Sequence, residues 1–252
     1  MRLRFFTILI FASVVAMASP PSDGNPNKLH FGIEEFNKAL SYYTQEHSSV
    51  KTSEMLDKHF VNLKKRQLKY KTQKDFVEYA FYYIHNKLLK NYTEYASLDQ
   101  TLTEGAYDCV TATAMYALFL SELELPYAVV ETNYHLYLLA FPGTKNEVLL
   151  ETTDPVAGFI ANTNEIQTRK VLYAQGNEEL KANQVDLDWD VETSLKDTEL
   201  IGLLLFNQSV KQYNLGNKAK AVELANEATN YYSSTRISTY LNFLNSDQLA
   251  SN

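Results

Sequence analysis

With one cysteine in 252 residues, no disulfide can form within the chain. Cys109 is therefore either a free, reactive thiol or a small buried hydrophobe. Basic residues are also short. The 23 Lys and Arg against 30 Asp and Glu leave a net charge of -7, which argues against nucleic acid as a partner because phosphate binding needs a basic face. Ligand spacing is missing around His30, His47, His59 and His85, so these are expected as surface or packed histidines and no metal is expected. The acid cluster Asp186, Asp188 and Asp190 starts like a calcium loop but lacks the glycine and the closing glutamate that such a loop needs, and reads as a solvated turn. No cofactor is expected.

Residues 1–18 read as a signal peptide, with Arg2 and Arg4 ahead of an apolar run at 5–15 and Ala16-Met17-Ala18 as the cleavage site. Cleavage before Ser19 makes the protein exported, to a periplasm or to the medium, where structural cysteines come in pairs. The alternative is an uncleaved anchor, but the run is well short of the ~20 residues a spanning helix needs, so no stable membrane insertion is expected after cleavage. Since no cysteine follows the run, a lipoprotein anchor is excluded.

Residues 19–30 (SPPSDGNPNKLH) form a flexible leader, and residues 31–195 a globular domain. Helical spacing of apolar residues appears at 31–45, 53–66 and 72–90, followed by a loop at 91–104 and, later, a short helix near 165–173. Residues 196–252 form a C-terminal helical cap, a hairpin broken at Gly216-Asn217 with a last helix near 238–244.

The domain is organised around residues 105–155. An apolar run begins at Cys109, with Asp108 as N-cap, and its hydrophobic residues wrap most of the way round, which marks a helix buried inside a domain. Strand signals follow at 127–132, 135–141 and 147–153 and should pair as an antiparallel meander. A four-residue loop at 143–146 would set His135 opposite Asp154, within reach of an imidazole–carboxylate contact; another loop length shifts the register by one. A thiol at a helix start beside an imidazole should have a depressed pKa, below about 8.5. Asp154 would fix the ring tautomer, and amides at the helix start would face a developing oxyanion. Tyr92, Tyr95 and Gln100 are candidates for a second oxyanion donor or for plain loop packing.

The segments YDCVTATAMYALFLSELELPY, YHLYL and LLETTDP resemble the transglutaminase-like superfamily of papain-type thiol enzymes, over about residues 71–159. The resemblance implies an α+β fold with a papain/transglutaminase-like core, in which the catalytic helix packs on an antiparallel sheet with flanking helices. It also implies Cys109 as nucleophile, His135 as general base and acid, Asp154 as orienting carboxylate, and a protein or peptide substrate. Animal transglutaminases carry a tryptophan near the cysteine and calcium sites. Neither is found here, since Trp189 lies well past the triad, and this argues against calcium-dependent crosslinking. Tyr213, Leu215, Gly216, Ala221, Ala225 and Ala228 are spaced as in a single tetratricopeptide repeat, too few to form a solenoid. The expected activity is acyl transfer from an amide to water, as in a cysteine protease or amidase. The alternative is a non-catalytic binding module on the same fold.

Overall fold

The computed structural model describes residues 49–132, 135–175 and 193–250. The signal segment, the leader, the helix expected at 31–45, His30, His47, the acid cluster at Asp186, Asp188 and Asp190, and Trp189 lie outside the described residues.

Helices α1 (Ser49–Gln67) and α2 (Gln73–Leu88) precede a segment that is more ordered than the expected loop. It holds β1 (Asn91–Tyr92), α3 (Leu98–Thr103) and β2 (Ala106–Tyr107), with β1 and β2 paired in parallel. A capping box starts α3: Gln100 N–H donates to Ser97 Oγ, and the Gln100 side chain accepts from Ser97 N–H. The central element, α4 (Cys109–Glu122), starts the same way. Asp108 Oδ1 accepts from Thr111 N–H at 2.9 Å while Thr111 Oγ1 accepts from Asp108 N–H at 2.9 Å. Every residue from Val110 to Leu120 is buried, as the wrapped apolar pattern demands.

After α4 come β3 (Tyr127–Glu131), β4 (Leu136–Ala140) and β5 (Val148–Leu150), the expected meander. Two short strands complete it at the edges, β6 (Phe159–Ile160) on β5 and β7 (Thr193–Leu195) on β3, giving an antiparallel sheet of order β6-β5-β4-β3-β7. Helix α5 (Thr163–Gln175) lies between these edge strands in the chain, and α6 (Asp197–Asn214), α7 (Lys218–Tyr231) and α8 (Thr235–Ala250) end it. The α6–α7 turn uses Gly216 at φ +82°, left-handed backbone that glycine adopts without penalty.

The architecture is α+β. Helix α4 packs on β3 and β4 and against α6, and Ala112, Ala114 and Ala117, all fully buried, leave room for close approach. The helical layer meets it through aromatic contacts: Phe119 lies 4.7 Å from Phe60 of α1, and Tyr116 stacks on Phe81 of α2 at 5.3 Å and donates its hydroxyl to Phe81 O at 2.7 Å. Leu200, Ile201, Leu203, Leu204 and Leu205 of α6 belong to the same core as α4.

One buried histidine ties this core to pH. His85 is packed among Phe81, Tyr107 and Tyr116, and its Nε2 has no hydrogen-bond partner. Burial lowers its pKa below 6.5, while the Thr152 carbonyl and the Asp154 charge pull the other way and lose. The unfolded chain then binds the proton more readily, so stability is full above the unfolded value of about 6.5 and falls as pH drops toward the lower folded value. Chemical denaturation at pH 7 and pH 5 should show that loss, and a smaller one in His85→Phe; equal losses in the two proteins would remove His85 from the explanation.

Candidate functional site

Cys109 is the first residue of α4, half-buried, at the edge of the main core. The backbone amides of Val110 and of Cys109 itself pull the thiol's pKa down, as amides at a helix start do. They do not decide the thiol's acidity. Burial first, then the Asp108 and Glu151 carboxylates, push the Cys109 pKa up to about 12, so the resting group is the neutral thiol and not the thiolate expected at a helix start. Asp108 is itself buried, which raises its carboxyl against the pull of its bonds to Thr111.

His135 stands one residue before β4, its backbone clasped by Thr132: Thr132 N–H donates to His135 O at 2.8 Å and His135 N–H to Thr132 Oγ1 at 3.1 Å. The carboxylate that meets its ring is Glu151 and not Asp154, with His135 Nε2 at 2.5 Å from Glu151 Oε2. The correction comes from the hairpin. Ala140 faces Val148, so the connecting loop runs from residue 141 to residue 147 with Phe141 and Gly143 at positive φ, and the register differs by one residue from the expected one. Continued past Leu150, this register sets Glu151 opposite Tyr137 and diagonal to His135 on one face of the sheet, a separation that a glutamate can bridge.

Asp154 does something else. Its Oδ1 accepts from Val156 N–H and Ala157 N–H, both at 2.9 Å, an Asx turn ahead of Pro155, and those amides hold its carboxyl below the usual range. That turn ends at Gly158, where an added Cβ would lie 2.3 Å from Glu151 O and 2.4 Å from Asp154 O. Only glycine allows the chain to close this tightly behind Glu151.

Glu151 is held on every side. Thr153 Oγ1 donates to Oε1 at 2.7 Å, and the Tyr173 hydroxyl of α5 donates to Oε2 at 2.8 Å. The Tyr173 ring also lies 4.7 Å from the His135 ring. Burial raises the Glu151 pKa, but the bonds from His135, Thr153 and Tyr173 outweigh it and the net direction is down, so the carboxylate stays ionised.

Cys109 and His135 line one cavity of about 120 Å³. Val110, Glu131, Thr132 and Leu136 complete the side made by α4, β3 and β4. Helices α6 and α8 supply the opposite wall with Leu203, Phe206, Asn207 and Arg236. Asn207 Nδ2 donates to Asp108 Oδ2 at 2.6 Å, fixing the cap of the cysteine helix from outside it. Arg236 is ion-paired with Glu131, which also accepts the Tyr232 hydroxyl at 2.5 Å. Tyr92, Tyr95 and Gln100 are not among the lining residues; Gln100 is occupied in the α3 cap and with Lys211. Besides Glu151, sequence reasoning missed three residues of the cavity wall, Glu131, Asn207 and Arg236. Two of them left a signal: Glu131 interrupts the apolar strand YAVVE, and Asn207 follows the apolar run LIGLLLF.

Among the described residues no group of three or more His, Cys, Asp or Glu is placed to hold a metal ion, and no helix is long and apolar enough to cross a membrane. No family model matches the chain, and no curated protein or solved structure matches it either.

Proposed function

We propose that this is an exported, periplasmic or secreted, thiol enzyme with a transglutaminase-like, papain-type core, acting on an amide or peptide bond of a protein or peptide substrate by acyl transfer to water. The observation that carries the reading is the shared cavity: a cysteine at a helix N-terminus faces the same space as a histidine held by a buried glutamate. Glu151 takes the orienting role expected of Asp154. Because the resting thiol is neutral, the proton leaves as the bond forms. Cys109 Sγ attacks the carbonyl carbon while His135 accepts the thiol proton; the imidazolium then protonates the departing amine, leaving a thioester. Water attacks the thioester with His135 as base, releasing the acid and restoring the thiol. The amides of Val110 and Cys109 stabilise the oxyanion in both halves.

A second reading, a non-catalytic binding module on the same fold, is favoured by one fact, the raised pKa of Cys109. Alkylation separates the two. In an acyl-transfer site the imidazole assists loss of the thiol proton, so His135→Ala should slow iodoacetamide labelling of native Cys109 at neutral pH by about tenfold or more. An equal rate in wild type and variant, both slower than the denatured chain, is the behaviour of an inert thiol and supports the binding module.

A further inference from the structure

Six of the eleven residues from Lys64 to Lys74 are Lys or Arg and none is acidic, in a chain whose net charge is -7. They occupy the tip of the hairpin between α1 and α2. Helix ends explain only half of them. Lys64, Lys65 and Arg66 suit the C-terminal turn of α1, whereas Lys69 and Lys71 lie beyond it and Lys74 sits in the first turn of α2, where a cation opposes the helix dipole. Lys64 is shared with Glu122 at 3.7 Å, Arg66 lies over the Tyr79 ring and Lys74 reaches Ala161 O. Lys65, Lys69 and Lys71 are exposed, and among the described residues no acid is bonded to them.

In the middle of these cations Leu68 is 88% exposed. Its neighbour Tyr70 folds back onto Phe76 at 5.7 Å and Tyr79 at 5.5 Å, and the turn bonds Lys69 N–H to Arg66 O and Tyr70 N–H to Gln67 O hold the backbone in place. The tip is thus anchored through Tyr70 and presents Leu68. A lone exposed leucine is ordinary. An exposed leucine flanked in sequence by cations, in an anchored turn, matches the boundary between charged headgroups and acyl chains.

We propose that the α1–α2 tip docks on the surface of an anionic lipid bilayer, with the lysines at the headgroups and Leu68 entering the boundary. The site does not depend on the chemistry at Cys109. Nucleic acid or another polyanion would use the lysines and give Leu68 nothing to do. Each cation near an anionic leaflet contributes about fivefold in affinity, and the effect is confined to roughly a Debye length of ~10 Å, so the acidic remainder of the chain does not cancel it.

The test is co-sedimentation of the full chain with phosphatidylcholine vesicles, with and without about a third phosphatidylglycerol. Binding should require phosphatidylglycerol. It should fall by about a hundredfold or more when Lys65→Glu, Lys69→Glu and Lys71→Glu are combined, since each change removes a cation and adds a repelling carboxylate, and about tenfold in Leu68→Ser. Circular dichroism should show all variants folded, since the changed side chains are exposed. No binding to the anionic vesicles, or undiminished binding by the triple variant, overturns the proposal. Binding to DNA as tight as to vesicles, with Leu68→Ser without effect on either, assigns the patch to polyanions and also overturns it.

Discussion

Cys109→Ala should abolish turnover and barely move stability. The side chain is half-buried at the edge of the core, so the change removes one sulfur from a site that already opens on a cavity, at a cost of about 1 kcal/mol. The acyl-transfer route has no other nucleophile, because every step passes through the thioester. A structural cysteine would reverse the pattern, with a large loss of stability and activity that follows the folded fraction. Comparing residual hydrolysis with the unfolding midpoint decides between them, using peptide libraries and casein as substrates with an amine donor present to register transfer as well as cleavage. Activity retained in folded Cys109→Ala would remove the nucleophile from the account.

The second large effect separates two carboxylates three residues apart. Glu151→Gln offers His135 an amide in place of a charge, so the imidazolium formed during attack loses its partner and the ring its orientation. The matching change in a serine triad lowers kcat by about 10⁴. A loss of about 10² to 10⁴ is expected here, because the neutral Cys109 thiol must hand its proton to the ring and cannot rely on a preformed ion pair. Asp154→Asn should be close to silent in activity, since an asparagine oxygen can still accept from Val156 and Ala157 and Asp154 is not bonded to His135. The reverse ranking would restore the pairing expected from the sequence and discard Glu151.

That pairing shows where sequence reading stops. The buried character of α4 and its Asp108 cap were legible because both follow from neighbouring residues: a full wrap of apolar side chains, and a carboxylate three residues before a threonine amide. The order of β3, β4 and β5 was legible from alternation and turn residues. The partner of His135 was not, because it depends on the exact length of one loop. With Phe141 at positive φ the loop takes seven residues in place of four, and a one-residue change of register moves every side chain of the strand to the other face. The edge strands β6 and β7 have three residues or fewer and are strands only because β5 and β3 offer them hydrogen bonds. Within the segment expected as a loop, α3 did carry a readable signal in the Ser97–Gln100 capping box. Arg236 left none: it comes from α8, about a hundred residues beyond the Glu131 it pairs with, and only the packing of α6 on α4 brings that wall to the cysteine.

The neutral thiol changes what the helix N-terminus does at this site. In the sequence alone the helix start argues for a stabilised thiolate, but the buried carboxylates of Asp108 and Glu151 oppose one, and burial opposes it more. In the proposed mechanism the amides of Val110 and Cys109 serve the oxyanion of the reaction.

The acyl-enzyme itself tests this account most directly. The protein would be mixed with an activated peptide ester, quenched in acid within seconds and weighed intact, and the adduct mapped by digestion. One acyl group per chain on the peptide containing Cys109, formed in wild type, slowed in Glu151→Gln and absent in His135→Ala, is the predicted result. An unmodified Cys109 in every protein across the ester panel, or an adduct on another residue, would contradict it.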